Sequence, residues 1–129
     1  MGNSGGGTTT LYASCLELRI GYSMPSAYFC SLDDCIGAVY GCVCNLVPNI
    51  RLFMDMGDMA GLIAPRPLVI VASTYDPIFP LAGVWKAYKE AERLYKAAGA
   101  ADKLKLVVGE GGHRFHADIA WKEMNQFIE

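Results

Sequence analysis

The chain opens Met1-Gly2-Asn3-Ser4-Gly5-Gly6-Gly7-Thr8-Thr9-Thr10, which places Ser4 in the spacing Gly-x-Ser-x-Gly. That spacing suits a sharp turn between a strand and a helix, on which small neighbours let the backbone pass close to itself and hold the serine Oγ clear of the sheet. A serine hydroxyl is a poor nucleophile until an imidazole takes its proton, and the imidazole in turn needs a carboxylate to fix its tautomer. Alone, the motif reads as well as a glycine-rich tail, so the chemistry depends on partners further along. Two stretches offer them: Asp76 in Ser73-Thr74-Tyr75-Asp76-Pro77-Ile78-Phe79-Pro80, and His113 in Gly109-Glu110-Gly111-Gly112-His113-Arg114-Phe115-His116. Ser4 is expected to attack, His113 to shuttle the proton and Asp76 to orient His113, with the Gly5 amide giving one half of an oxyanion hole.

Rivals exist for two of the roles. His116 lies three residues beyond His113, but the glycines before His113 permit the tight approach that a catalytic loop requires. Asp33, Asp34 and Asp58 follow no evident buried strand and are read as solvated or capping groups. A phosphate-loop reading of Gly2 to Gly7 fails because Thr8 stands where the lysine is needed.

These residues require strands that deliver them to one edge. Leu68-Val69-Ile70-Val71-Ala72 is an apolar, β-branched run suited to burial on both faces, and it leads directly to Asp76. Leu104-Lys105-Leu106-Val107-Val108 is a further strand leading to His113, and a short strand is expected over 19–24, stopped by Pro25. Helical spacing marks Ser4 to about Glu17, Ala82 to Ala98 and Ala117 to Ile128, with Gly99 ending the second of these. Strands alternating with helices predict a single α/β domain over 1–129, a partial parallel sheet covered on both sides. Reactive groups in such sheets gather at the carboxyl ends of the strands. Residues 26–64 form an irregular covering region, in which Met54, Met56 and Met59 are expected to fill core gaps.

Composition narrows the class. With 129 residues, 53% of them hydrophobic, and a formal charge of -2, the chain can bury a core and has no basic footprint for nucleic acid. No run reaches the length of a membrane span and no signal peptide is visible, so a cytoplasmic setting without a membrane partner is expected. The five cysteines fit neither a zinc ribbon nor a Cys-x-x-Cys motif and are read as free thiols, with Cys42 and Cys44 as packing. No metal site is expected from these spacings.

Gly2-Asn3-Ser4-Gly5-Gly6-Gly7, the segment Met56 to Pro67, Asp76-Pro77-Ile78-Phe79-Pro80 and Gly111-Gly112-His113-Arg114-Phe115 together resemble the C-terminal half of an α/β-hydrolase of the acetyl xylan esterase and dienelactone hydrolase-like group. The order Ser4, Asp76, His113 is that of an α/β-hydrolase triad. The resemblance implies cleavage of carboxylic esters, often acetyl esters, through an acyl-enzyme and without a cofactor. In that group about half of the domain precedes the elbow, including its strand and the second oxyanion donor. The chain starting at Met1 is therefore expected to lack the strand before Ser4, to leave an open edge near Ile20, and to form a homo-oligomer through that edge.

Overall fold

A computed structural model of the chain describes residues 1–38 and 45–128. Four parallel strands lie in the order β1 (Gly2–Asn3), β2 (Pro25–Ser26), β3 (Leu68–Ser73) and β4 (Leu104–Gly109). The connections run through α1 (Gly5–Leu16), then through a long segment containing α2 (Met56–Gly61), then through α3 (Leu81–Ala97), and α4 (Ala117–Ile128) follows the last strand.

Every residue of β3 is buried, as its unbroken apolar run requires. Leu68, Ile70 and Ala72 join a core with Leu11, Met56, Ala60, Val84, Ala87 and Tyr95, beneath α1, α2 and α3. Val69 and Val71 point the other way, against Met24, Val107, Ala120 and Met124, beneath α4. The period of two along one strand thus divides the helices between the two faces. Six residues of β3 pair in register with β4, from Leu68 opposite Leu104 to Ser73 opposite Gly109, so both strands end at the same level.

Two sequence expectations shift here. The short strand expected over 19–24 lies later: residues 19–22 are exposed or only partly buried, Ser23 bridges Leu68, and the paired strand is Pro25–Ser26. Pro25 does not stop it. A proline has no amide to donate, but the neighbouring amides carry the ladder, Ser23 donating to Pro67 O at 3.0 Å and Ala27 to Val71 O at 2.9 Å. The elbow also has a strand of its own, because Gly2 and Asn3 pair with Pro25 and Ser26. The strand that was expected to leave an open edge is therefore interior, and the sheet's edges are β1 and β4.

The irregular cover is pinned by Asp55. Its carboxylate accepts from Ser31 Oγ at 2.7 Å, from the Leu32 amide at 2.8 Å and from the Met56 amide at 2.7 Å, while Asp58 accepts from the Asp55 amide at 2.8 Å. This reciprocal cap starts α2 and ties it to the loop after β2. Met56 and Met59 are buried and Met54 packs against them, as expected of core filler. Cys15, Cys30 and Cys35 are free thiols. Cys15 donates to Met59 O, and burial pushes its pKa up to about 11, so it stays protonated. The readings of Cys42 and Cys44 fall outside the described residues.

Candidate active site

Ser4 sits between β1 and α1 with φ 54° and ψ -117°, backbone angles that a residue with a side chain adopts only when its surroundings impose them. The surroundings are glycines. An added Cβ on Gly2 would lie 2.3 Å from Gly6 O, and one on Gly7 would lie 2.6 Å from Ser26 O and 2.9 Å from Tyr28 Cβ. Gly5 and Gly6 have open space around them, so closeness is demanded at Gly2 and Gly7 rather than along the whole run. The Ser4 amide is fixed to Ser26 O at 2.9 Å, which sets the height of the turn above the sheet. Gly7→Ala is expected to force Ser26 and Tyr28 apart and destabilise the fold by about 2–3 kcal/mol, the size of an overpacked core site. A thermal melt against wild type measures this, and Gly5→Ala should cost far less.

Beyond β3 the chain turns at Asp76, whose Oδ1 accepts from the amides of Ile78 at 2.9 Å and Phe79 at 3.1 Å. These bonds leave Oδ2 facing His113, which it meets at 2.8 Å from Nδ1. The other ring nitrogen, His113 Nε2, lies 2.7 Å from Ser4 Oγ. Asp76 is buried, with its side chain 1% exposed, while the His113 side chain is 22% exposed. The carboxylate is therefore shielded and the imidazole can reach solvent. Phe79 lies nearly parallel to the imidazole, their ring centroids 5.9 Å apart, and limits its tilt.

The three residues singled out from the sequence are thus brought into one hydrogen-bonded row across 109 positions of chain. Gly5 begins α1 directly after Ser4, where helix geometry leaves the first amides without intrahelical acceptors. A row of carboxylate, imidazole and hydroxyl beside free amides can transfer a proton from the hydroxyl and stabilise an oxyanion.

The rivals lie elsewhere. His116 is buried and bonds Ser73 Oγ through Nε2 at 2.8 Å, not Ser4. Burial and the nearby Arg114 guanidinium lower its pKa, so it is held neutral near pH 7. Asp33 pairs with Arg51, Asp34 with Lys86, and Asp58 caps α2, each the solvated or capping role expected. Sequence reasoning did not find the Ser73–His116 pair. Its only signal was a second histidine after the glycine loop, and the serine partner lies 43 residues earlier. Among the described residues no group of three His, Cys, Asp or Glu side chains could hold a metal, and no helix is long and apolar enough to cross a membrane.

No family model matches the chain. It is similar to a Bacillus subtilis (strain 168) protein described as "Putative hydrolase YtaP", 31% identical over 83 residues that make up 64% of this chain and 27% of that protein. Among solved structures it is similar to a carbohydrate esterase family 15 glucuronoyl esterase from Caldicellulosiruptor kristjansonii, with TM-score 0.72 and 19% identity, covering 91% of this chain and 39% of the other. A glucuronoyl esterase from Sporotrichum thermophile gives TM-score 0.71 and 19% identity over 98% of this chain and 41% of that one. The methylesterase BT1017 gives TM-score 0.68 and 22% identity over 99% of this chain and 28% of that one. The likenesses show an α/β-hydrolase-like fold, in agreement with the parallel sheet flanked by helices. The chain spans between about a quarter and two-fifths of the length of these proteins.

Proposed function

We propose that the chain is a serine hydrolase that cleaves carboxylic esters. The observation that carries this reading is the row Ser4 Oγ, His113, Asp76, closed at 2.7 and 2.8 Å. In the first half-reaction His113 Nε2 accepts the Ser4 proton as Oγ bonds to the ester carbonyl carbon. The carbonyl oxygen gains negative charge, which the Gly5 amide stabilises. The C–O bond to the alcohol then breaks, the imidazolium returns the proton to the departing alkoxide, and an acyl-Ser4 ester remains. Water, activated by the same imidazole, releases the acid and restores Ser4. Every step moves protons and electron pairs among these groups and the substrate, so the scheme needs no metal or cofactor.

Short acyl groups, acetyl above all, are the proposed substrates on the resemblance to acetyl xylan esterases. The neighbours named glucuronoyl esterase and methylesterase direct the test to uronate methyl esters as well. Hydrolysis of 4-nitrophenyl acetate and of a methyl glucuronate should be measured for wild type and for Ser4→Ala. The expected result is turnover that falls to background in the variant. Equal rates in both proteins would end the reading, and the ratio of the two substrates sets the acyl preference.

A second reading is a weakly active or inactive hydrolase part that self-associates in a cytoplasmic setting. It is favoured by the edge position of β1, a strand of only two residues whose outer side is open among the described residues. Sedimentation tests it: a concentration-dependent dimer supports association through this edge, and a single monomeric species overturns it.

A further inference from the structure

The loop that carries His113 leaves β4 at Gly109 and returns to the start of α4, and His116 closes it from below. The His116 ring lies so near Gly109 that an added Cβ there would stand 2.2 Å from its Cγ and Nδ1. From that position Nε2 reaches sideways to Ser73 Oγ at 2.8 Å, and Ser73 is the residue paired with Gly109 across the two strands. The final rung of the sheet therefore has a second link, made of side chains, between the strand that leads to Asp76 and the loop that holds His113.

Other bonds run the same way. Thr74 donates its amide and its Oγ1 to Gly109 O, both at 3.0 Å, and the Tyr75 amide donates to Gly111 O at 2.9 Å. Each of these joins backbone on at least one side and would form with many sequences. The Ser73–His116 bond is the buried one made wholly by side chains, and its two residues lie three positions from Asp76 and three from His113.

We infer that His116 and Ser73 form a clasp whose task is to hold His113 Nδ1 against Asp76, making both positioning residues for the reaction proposed above. Neither touches the reacting hydroxyl. If the clasp opens, the loop keeps its bonds to Thr74 and Tyr75 but loses its side-chain tie to β3, and the imidazole can swing off the carboxylate while the fold around it persists. Near-attack geometry is sensitive at this scale, an ångström of misplacement lowering the rate by about a hundredfold. The inference rests on the hydrolase reading for its kinetic part only, since the contact between His113 and Asp76 can be observed without turnover.

The test uses the full chain with Ser73→Ala, which removes one oxygen, His116→Asn, and Asp76→Asn as the reference for a lost carboxylate. Nitrogen NMR shifts of labelled imidazoles report which ring nitrogen carries the proton, and with two histidines in the chain the assignment follows from the His116 variant. In wild type neutral His113 should hold its proton on Nδ1. Ser73→Ala and His116→Asn should move it toward the Nε2 form seen with Asp76→Asn, and should lower kcat ten- to a hundredfold with KM unchanged. The inference is overturned if either clasp variant keeps the wild-type tautomer, if wild type itself lacks the Nδ1 form, or if kcat is unaffected where wild type turns over. Should wild type show no Ser4-dependent turnover, the hydrolase reading fails separately, and the tautomer alone decides the clasp.

Discussion

Asp76→Asn is expected to lower kcat for ester hydrolysis by about ten-thousandfold, with KM and the melting temperature close to wild type. The size follows from where each oxygen of Asp76 points. Oδ1 accepts from two amides, those of Ile78 and Phe79, so the amide oxygen of an asparagine would occupy that position. Its NH2 group would then face His113 Nδ1, where Oδ2 now stands at 2.8 Å. A donor in that place requires Nδ1 to be the unprotonated nitrogen, which puts the ring proton on Nε2. That proton would face Ser4 Oγ across 2.7 Å, and the imidazole could no longer accept from the hydroxyl. Packing would scarcely change, because the two side chains match in shape. Steady-state kinetics beside a melt separates this from unfolding, and Asp33→Asn or Asp58→Asn should stay within a few-fold of wild type. A loss of less than tenfold at Asp76 would remove the residue from the mechanism.

The parts of this site that could be read from the sequence are those set by local pattern. Asp76 and His113 each follow a run of β-branched and apolar residues by a few positions, so period and loop chemistry alone placed them at strand ends. The helix over Ala82–Ala98 and the last helix over Ala117–Ile128 were equally plain, because their apolar positions recur at helical spacing and their structures are Leu81–Ala97 and Ala117–Ile128. What could not be read was set by tertiary pairing. Residues 19–22 have strand-like composition yet face solvent, while Pro25 lies in the ladder because a proline is tolerated where its neighbours' amides carry the bonds. Two-residue strands such as β1 and β2 have no period to detect, and only their pairing defines them, Gly2 and Asn3 with Pro25 and Ser26, and Ser26 with Val71. The same limit hid the partner of His116, since nothing in the spacing of Ser73 and His116 announces a rung of the sheet.

Arg66 shows the same limit for stability, and it carries the largest expected effect on the fold. Between Pro65 and Pro67 it reads as part of a punctuating turn, but its guanidinium is the meeting point of two helix ends. Nη2 donates to Ser14 O at 2.7 Å and Leu62 O at 3.2 Å, Nη1 to Ile20 O at 2.8 Å and Glu17 O at 3.1 Å, and Nε to Ile63 O at 3.1 Å. The carbonyls at the ends of α1 and α2 lack helical partners and carry the negative end of each helix dipole, so a fixed planar cation satisfies both at once. Arg66 O in turn accepts from the buried Tyr95 hydroxyl at 2.8 Å, which ties the turn to α3 just before β3 begins. Arg66→Met keeps the aliphatic stem and removes every one of these donors. Water can reach some of the freed carbonyls, so the loss should be about 3 kcal/mol, well below the sum of five charged hydrogen bonds. For a domain whose whole stability is on the order of 10 kcal/mol, that is a fall in melting temperature of roughly 10 °C. Arg66→Lys should recover little of it, because a single ammonium cannot span five acceptors spread over two helix ends and the segment that follows α1. Denaturant melts of the three proteins measure the difference, and a Met variant as stable as wild type would mean that the two helix ends are held by packing alone.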